Sequence, residues 1–572
     1  MRGLGPWGRV AALAAVAVVV GSLLGTASRP SRAARPTAGR PDAVTVVSAE
    51  PKATARRQAT AFGWAASLTA GLPADLPGGL VPADCRPADH APGWLARENA
   101  RPGDASWRTR VAAHQEIVGY LGQTTAVCGQ RVDLHLSGPR GRAVVRVFRV
   151  GWYGGARARL VWTSSSVQVS PQRQARPSGS TRLIQEAWPT TTTIPVTPSF
   201  EPGLYLVEFG SAHGGAMGVA PLVVRDPGGR APVLVQLSAA TWAAYNTYGG
   251  ASLYRGPGGS TALRSFAAGL DRPLAADGLR ELMVRDVALV HQVERLGLDT
   301  AYVTDFDVDA APSLLMTARE IVVPGHAEYW TARMLRGLEA ARNAGVNEAW
   351  LGGNDVSWQI RITRAADGRP TSVVCYRTLA DPVAVTDPAA ATVSWWSNPG
   401  PVTDVGALIG ERYTGRKMDS GLRMRSAPPW LVDGTGLRIG SLLASAAANE
   451  VNGVTTLRGL PPDLQVIAEG AFRRGRLLGP VDVTYYTAPS GAAVFSAGTT
   501  DWGCEIDGSC VDHWVASSEA SVLGRLTGNV LKAFTQPGFG RSHPSVLTPP
   551  TELTLLARSL PAAQVGTAGR PE

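Results

Sequence analysis

The sequence predicts a multidomain α+β protein in which an N-terminal β-sandwich of immunoglobulin-like type precedes an α/β domain built on a mostly parallel sheet. Three observations carry this prediction. The chain has 572 residues, too long for one core. Over residues 116–225 apolar residues alternate with period two, and Gly/Pro/Ser turns separate the runs. After Asp226-Pro227-Gly228-Gly229-Arg230, apolar strand-like runs alternate with segments of helical periodicity.

Residues 1–28 read as an export signal. Arg2 and Arg9 precede an apolar segment at 10–24, and small residues follow. The segment has the length of a signal h-region and is short for a membrane span. An uncleaved anchor through residues 10–24 is the alternative, and either one implies a secreted or extracytoplasmic protein. Residues 29–57, rich in Pro, Arg, Thr and Ala without periodicity, read as a flexible linker. Residues 58–113 form an N-terminal extension with a helical start and a Pro-rich stretch.

Residues 114–227 make the sandwich domain, with alternating strands at 117–120, 132–136, 144–150 and 204–209. Gly151-Trp152-Tyr153-Gly154-Gly155 reads as a strand-end turn whose aromatics pack on the sandwich. Residues 231–545 make the α/β domain. Its strands fall at 233–237, 300–304, 321–323, 346–351, 481–485 and 493–496, and its helices at 279–296, 332–344 and 523–534. That order argues a parallel sheet with helices on both faces. Residues 546–572 are a C-terminal tail.

The net charge of +10 is concentrated at the N-terminus, where residues 1–57 hold nine Lys and Arg against Asp42 and Glu50. The remainder is nearly neutral, so no nucleic-acid partner is expected. Of the five cysteines, Cys504 and Cys510 are close enough to close a short loop, and Cys85 with Cys128 would tie the extension to the first β domain. Four cysteines allow three pairings, and spacing does not choose among them. Cys375 lies in an apolar strand-like run and reads as a buried free thiol. No CxxC pair or Cys/His spacing supports zinc. No Gly-x-Ser-x-Gly elbow, phosphate loop or dinucleotide fingerprint occurs.

The chemistry concentrates at two strand ends. Val322-Val323-Pro324-Gly325-His326-Ala327-Glu328-Tyr329-Trp330 delivers a His and a Glu two residues apart where ligands bind in open α/β sheets. The bland alternative is a loop whose His and Glu cap the next helix. The strand at 233–237 leads into a loop carrying Tyr245, Tyr248 and Tyr254 around Gly249-Gly250. Such a loop either packs against the β domain or supplies phenolate ligands. Phenolate oxygen is hard and anionic, so with Glu328 it suits Fe(III) better than zinc or copper. A metal there would act as a Lewis acid, with His326 orienting the carboxylate or moving a proton. Asp305, Asp307 and Asp309 lack the Gly and the late Glu of a calcium loop and read as strand-end and capping residues. Glu450 is an acid/base candidate or a solvated carboxylate, and Gly498 to Cys504 can line the same cleft.

These residues resemble the N,N-dimethylformamidase large-subunit family. The likeness is carried by Gly151-Trp152-Tyr153-Gly154-Gly155, Tyr245-Asn246, Gly249-Gly250, Ser252-Leu253-Tyr254 and Thr304-Asp305. It continues through Pro324 to Trp330, Gly352-Gly353-Asn354, Gly434-Thr435-Gly436-Leu437 and Gly498-Thr499 with Trp502, over about residues 95–540. The resemblance implies a β-sandwich-like region beside a domain like the class I glutamine amidotransferases. It also implies one iron held by two tyrosines and a glutamate with a histidine beside it. Carried over, the glutamate is Glu328, the histidine is His326 and the tyrosines are Tyr245 and Tyr254, with Tyr248 competing. The characterised amidase works with a separate small subunit, which this chain does not contain.

The expected protein is therefore an exported, iron-dependent hydrolase of small-molecule amides. Tyr245, Tyr254 and Glu328 hold mononuclear Fe(III), and His326 and Glu450 handle protons. A small subunit or a homo-oligomer completes the assembly. The alternative is an extracellular carbohydrate- or envelope-binding protein with a non-catalytic α/β domain.

Overall fold

The structure is a computed structural model that describes residues 92–551, apart from 110–115, 213–215, 227–230, 396–403, 458, 475–476, 512–514 and 549–550. The expected export signal, linker and first part of the extension lie outside the described residues, as do Cys85, its pairing with Cys128 and the tail beyond 551. No helix among the described residues is long and apolar enough to cross a membrane.

The protein is mixed α and β with several sheets. In the N-terminal β region, the strands Thr125–Ala126, Gly218–Val224, Gly203–Ser211, Gly141–Val150 and Ala158–Thr163 lie side by side in that order, and Val167–Val169 pairs with the start of Gly141–Val150. Val118–Leu121, Arg131–Ser137 and Thr192–Pro195 form a second sheet. Alternation decides the packing. Val145, Val147 and Phe209 meet Val132, Leu134 and Leu136 of the second sheet in one core, as period-two strands must when one face is buried.

The opposite face of the larger sheet is apolar too. Phe148, Val150, Leu204, Leu206 and Val223 join Val233, Val235, Leu289 and Tyr302 of the α/β region in a common core. A buried ion pair crosses the same contact. Arg149 Nη2 lies 2.8 Å from Glu294 Oε1, and Glu294 also accepts from the Tyr302 hydroxyl at 2.6 Å. The turn after Gly141–Val150 serves this junction as well as the sandwich, whose Arg159 guanidinium sits 5.9 Å over the Tyr153 ring. The Tyr153 hydroxyl donates to Glu98 at 2.7 Å, and the Arg295 guanidinium sits 5.0 Å over the Trp152 ring.

The central sheet has nine strands. Its first half runs Thr300–Thr304, Val233–Leu237, Glu320–Gly325, Asn347–Gly352, Ala493–Ser496, all parallel. Its second half continues Leu477–Thr487, Gln465–Arg474, Arg412–Met424, Leu442–Gly453, all antiparallel. Parallel and antiparallel pairings are therefore equal in number, which corrects the expectation of a mostly parallel sheet. Side chains alternate across the parallel half. Val235, Val322 and Leu351 face the core shared with Leu282, Leu289, Leu523 and Leu526. Ile321, Val323 and Trp350 face Met334, Leu335 and Leu338 of the helix Ala332–Asn343. Each fully buried aliphatic residue contributes about 1.5–3 kcal/mol. Thr304 and Asp307 form a capping box at the helix Asp305–Ala310, so these aspartates end a strand and cap a helix.

Candidate functional site

The site lies where Glu320–Gly325 ends. Gly325 has φ +50°, and a Cβ there would stand 2.6 Å from Arg285 Cβ, so only glycine lets the chain turn this close to the neighbouring helix. The next residues are pinned through their backbone. The Ala327 N–H donates to Asp355 Oδ1 at 3.0 Å, and the Glu328 N–H to Thr241 Oγ1 at 3.2 Å. The Glu328 carbonyl accepts from the Ser357 and Trp358 N–H groups. His326 and Glu328 are both buried, and both turn toward the end of the sheet. They do not cap the following helix, whose cap is Thr331.

The tyrosines arrive differently from the sequence reading. Ala239–Tyr245 is a helix, not a loop, and Tyr245 is its last residue. Tyr254 follows the Gly249-Gly250 turn and returns beneath it, so the Tyr245 and Tyr254 rings lie 4.4 Å apart. The Tyr254 hydroxyl is 2.5 Å from both oxygens of Glu328. Tyr245 stands 5.5 Å, ring to ring, from His326, and its hydroxyl makes no hydrogen bond among the described residues. Tyr248 points elsewhere. Its hydroxyl bonds Gln174 and its ring meets Trp188 edge-on.

Glu450 comes from the antiparallel half of the sheet. Its backbone is tied to Thr500, whose N–H donates to the Glu450 carbonyl at 3.0 Å and whose hydroxyl accepts the Glu450 N–H at 3.3 Å. Glu450 Oε2 lies 3.1 Å from His326 Nε2 and accepts from Asn354 Nδ2 at 2.7 Å. His326 Nε2 is also 3.5 Å from Glu328 Oε2, while Nδ1 lies 2.9 Å from Glu281 Oε2.

Sequence reasoning missed four contributors. Asn354 stood in the Gly352-Gly353-Asn354 strand end, but its bonds to Glu450 and His326 Nε2 are non-local. Trp358 Nε1 donates to Glu328 Oε1 at 2.9 Å. Arg377 lies 3.6 Å over the Tyr254 ring and 4.8 Å over Trp358, and it bonds the Tyr329 hydroxyl. Glu281 sits inside a helix with no local signal. One signal was structural: Asn354, Val356, Arg377 and Asn449, all around this cluster, have positive φ without being glycine, and such strain gathers at functional sites.

Burial sets the electrostatics. It drives the Tyr245 hydroxyl well above its ordinary range, with Glu328 and Glu450 adding to the rise. Burial raises Tyr254 as well, against the opposing Arg377 guanidinium. For Glu328, burial outweighs His326 and leaves the carboxyl raised. His326 goes the other way. Burial alone would lower it, but the Glu281 and Glu450 carboxylates hold it well above the usual imidazole value. Glu450 is the counterpart. Burial would raise it, yet His326, then Arg416 and Asn354, bring it down to about 2. The site therefore sets a histidine pushed up beside a Glu450 carboxyl pulled down, next to a raised Glu328 carboxyl and two raised phenols.

Two phenols with their rings 4.4 Å apart and a carboxyl that meets one of their hydroxyls offer a hard, all-oxygen donor set, which fits a trivalent iron better than a soft metal. Asp501, Cys504 and Cys510 also lie close together, but their sulfurs are joined in the expected Cys504–Cys510 disulfide and offer no thiolate. Cys375 is the expected buried free thiol, raised to about 11 by burial.

Residues 144–514 match the family described as N,N-dimethylformamidase beta subunit-like, C-terminal. No curated protein matches the chain.

Proposed function

Since the chain belongs to the N,N-dimethylformamidase beta subunit-like family, we propose that it hydrolyses linear amides at the cluster of Tyr245, Tyr254, Glu328, His326 and Glu450. The observation that carries this reading is the Tyr254 hydroxyl set against both oxygens of Glu328, with the His326–Glu450 pair alongside. Tyr245, Tyr254 and Glu328 would hold mononuclear Fe(III). When bound, that ion would polarise the amide carbonyl and acidify a water, so that a weak base suffices.

The remaining steps belong to the chain itself. Glu450, ionised across neutral pH, takes a proton from the attacking water. His326 gives one to the departing nitrogen, which leaves as an amine while the acyl carbon keeps the water oxygen. Asn354 holds Glu450 in place.

The wider reading follows from the same family. The paired sheets of the N-terminal region support an immunoglobulin-like sandwich, and the parallel half of the central sheet supports a likeness to class I glutamine amidotransferases. The family is described as a subunit, which supports a partner chain. The Cys504–Cys510 disulfide supports export to an oxidising compartment.

The test is metal content and a visible spectrum on the purified chain, followed by an amide screen. About one iron per chain with a tyrosinate charge-transfer band is expected. A colourless protein that takes up no iron on reconstitution would overturn the reading.

A further inference from the structure

We infer that Glu281 is the positioning residue that orients the His326 ring, so that Nε2 is the nitrogen presented to the reacting groups. The inference rests on the amide-hydrolase reading of this centre. Glu281 accepts from His326 Nδ1 at 2.9 Å, and the pair is buried, so water does not compete for that bond. With Nδ1 engaged, Nε2 faces Glu450, Glu328 and Asn354 at 3.1, 3.5 and 3.2 Å. A ring turned by half a rotation would lose both sets of contacts.

The backbone that delivers Glu281 is built for this task. Within the helix running from Ala276–Arg280 to Val287–Arg295, the segment Glu281–Asp286 is π-helical. A π-turn adds one residue to the turn and re-aims its side chains, and such turns gather at functional sites. Three of the six side chains here reach parts of the centre. Glu281 holds His326. Arg285 backs Gly325, donates to the Thr500 carbonyl at 3.2 Å and pairs with Asp501, bracing the segment that anchors Glu450. Asp286 accepts from the Ser238 N–H at 3.0 Å and the Trp242 indole at 2.9 Å, at the start of the helix that ends in Tyr245. Regular α-helical geometry would offset these three from one another.

The experiment compares the purified full chain with Glu281→Gln and Glu281→Met. The ring is read by proton and ¹⁵N NMR of labelled histidine in the metal-free protein, with His326→Gln to assign the signal. The wild type should show a slowly exchanging, downfield Nδ1 proton. Glu281→Gln, which keeps an acceptor, should largely preserve it, and Glu281→Met should lose it. In the iron-loaded proteins, Glu281→Met should cut kcat on N,N-dimethylformamide by about 10–100-fold with iron content and KM little changed. A folded Glu281→Met that keeps the wild-type Nδ1 signal overturns the inference. A wild type that neither binds iron nor cleaves amides overturns the reading of the centre instead, and the NMR comparison still decides Glu281.

Discussion

The guanidinium of Arg377 lies 3.6 Å over the ring of Tyr254, whose hydroxyl meets both oxygens of Glu328. Arg377 is held in that place by its own fold. It adopts φ +60°, its N–H donates to the Thr392 carbonyl, and it bonds the Tyr329 hydroxyl. A cation on a phenol face favours the phenolate. Arg377→Met should therefore weaken iron retention roughly tenfold at neutral pH. Titrating iron against a competing chelator checks this, and unchanged retention would remove Arg377 from the centre.

The ligand assignment separates Tyr254 from Tyr248. Tyr254→Phe and Glu328→Ala should each lose most of the iron and the visible band. Tyr248→Phe should keep both, because that hydroxyl is engaged with Gln174. Iron content of the three purified variants is the measurement. Full iron in both Tyr254→Phe and Glu328→Ala would dismiss the site.

Acid stability should carry the mark of Asp381. The Arg361 fork reaches its two oxygens at 2.6 and 2.9 Å, and the Thr392 hydroxyl donates at 2.6 Å. Burial would raise this carboxyl, but the bonds from Arg361 and Thr392 bring it down to about 2. An unfolded aspartate titrates near 4. Between those values the unfolded chain binds the proton first, so the stabilisation present above about pH 4 fades as the pH falls toward 2. Since Arg361 is partly exposed, the loss should be about 1–2 kcal/mol. Denaturant midpoints should show a shallower acid slope in Asp381→Asn than in the wild type, and equal slopes would refute the assignment.

Arg149→Met should destabilise the protein by about 3–5 kcal/mol, because it leaves Glu294 buried without its cation. Arg149 also donates to the Pro202 carbonyl at 2.7 Å, so one substitution breaks several contacts. Equilibrium unfolding in urea measures the effect. A cost under about 1 kcal/mol would mean that solvent reaches Glu294.

The parallel half of the central sheet was legible in the sequence because its strands centre on short apolar runs bounded by turn residues. The expected 233–237 and 300–304 coincide with Val233–Leu237 and Thr300–Thr304. The antiparallel half was legible only in part: the expected 481–485 falls inside Leu477–Thr487, but two of its other strands gave no clear signal. Leu442–Gly453 reads LLASAAANEVNG and Arg412–Met424 reads RYTGRKMDSGLRM, where alanine, glycine and polar residues blur the period of two. Ala239–Tyr245 passed for loop because a seven-residue helix ending in aromatics has too few turns to show a stripe. Within the site, His326 and Glu328 stood out by their place at a strand end. Glu281 and Asn354 act through contacts 45 and 28 residues away in sequence, which no local pattern records.

The apolar core shared by Phe148 and Leu204 on one side and Val233 and Tyr302 on the other has a consequence for how the molecule melts. Neither region can open to solvent without uncovering the other's apolar face and stranding the Arg149–Glu294 pair. The unit is thermodynamically one body: heating should give a single calorimetric endotherm, and a fragment cut after Asp226 should aggregate rather than fold alone.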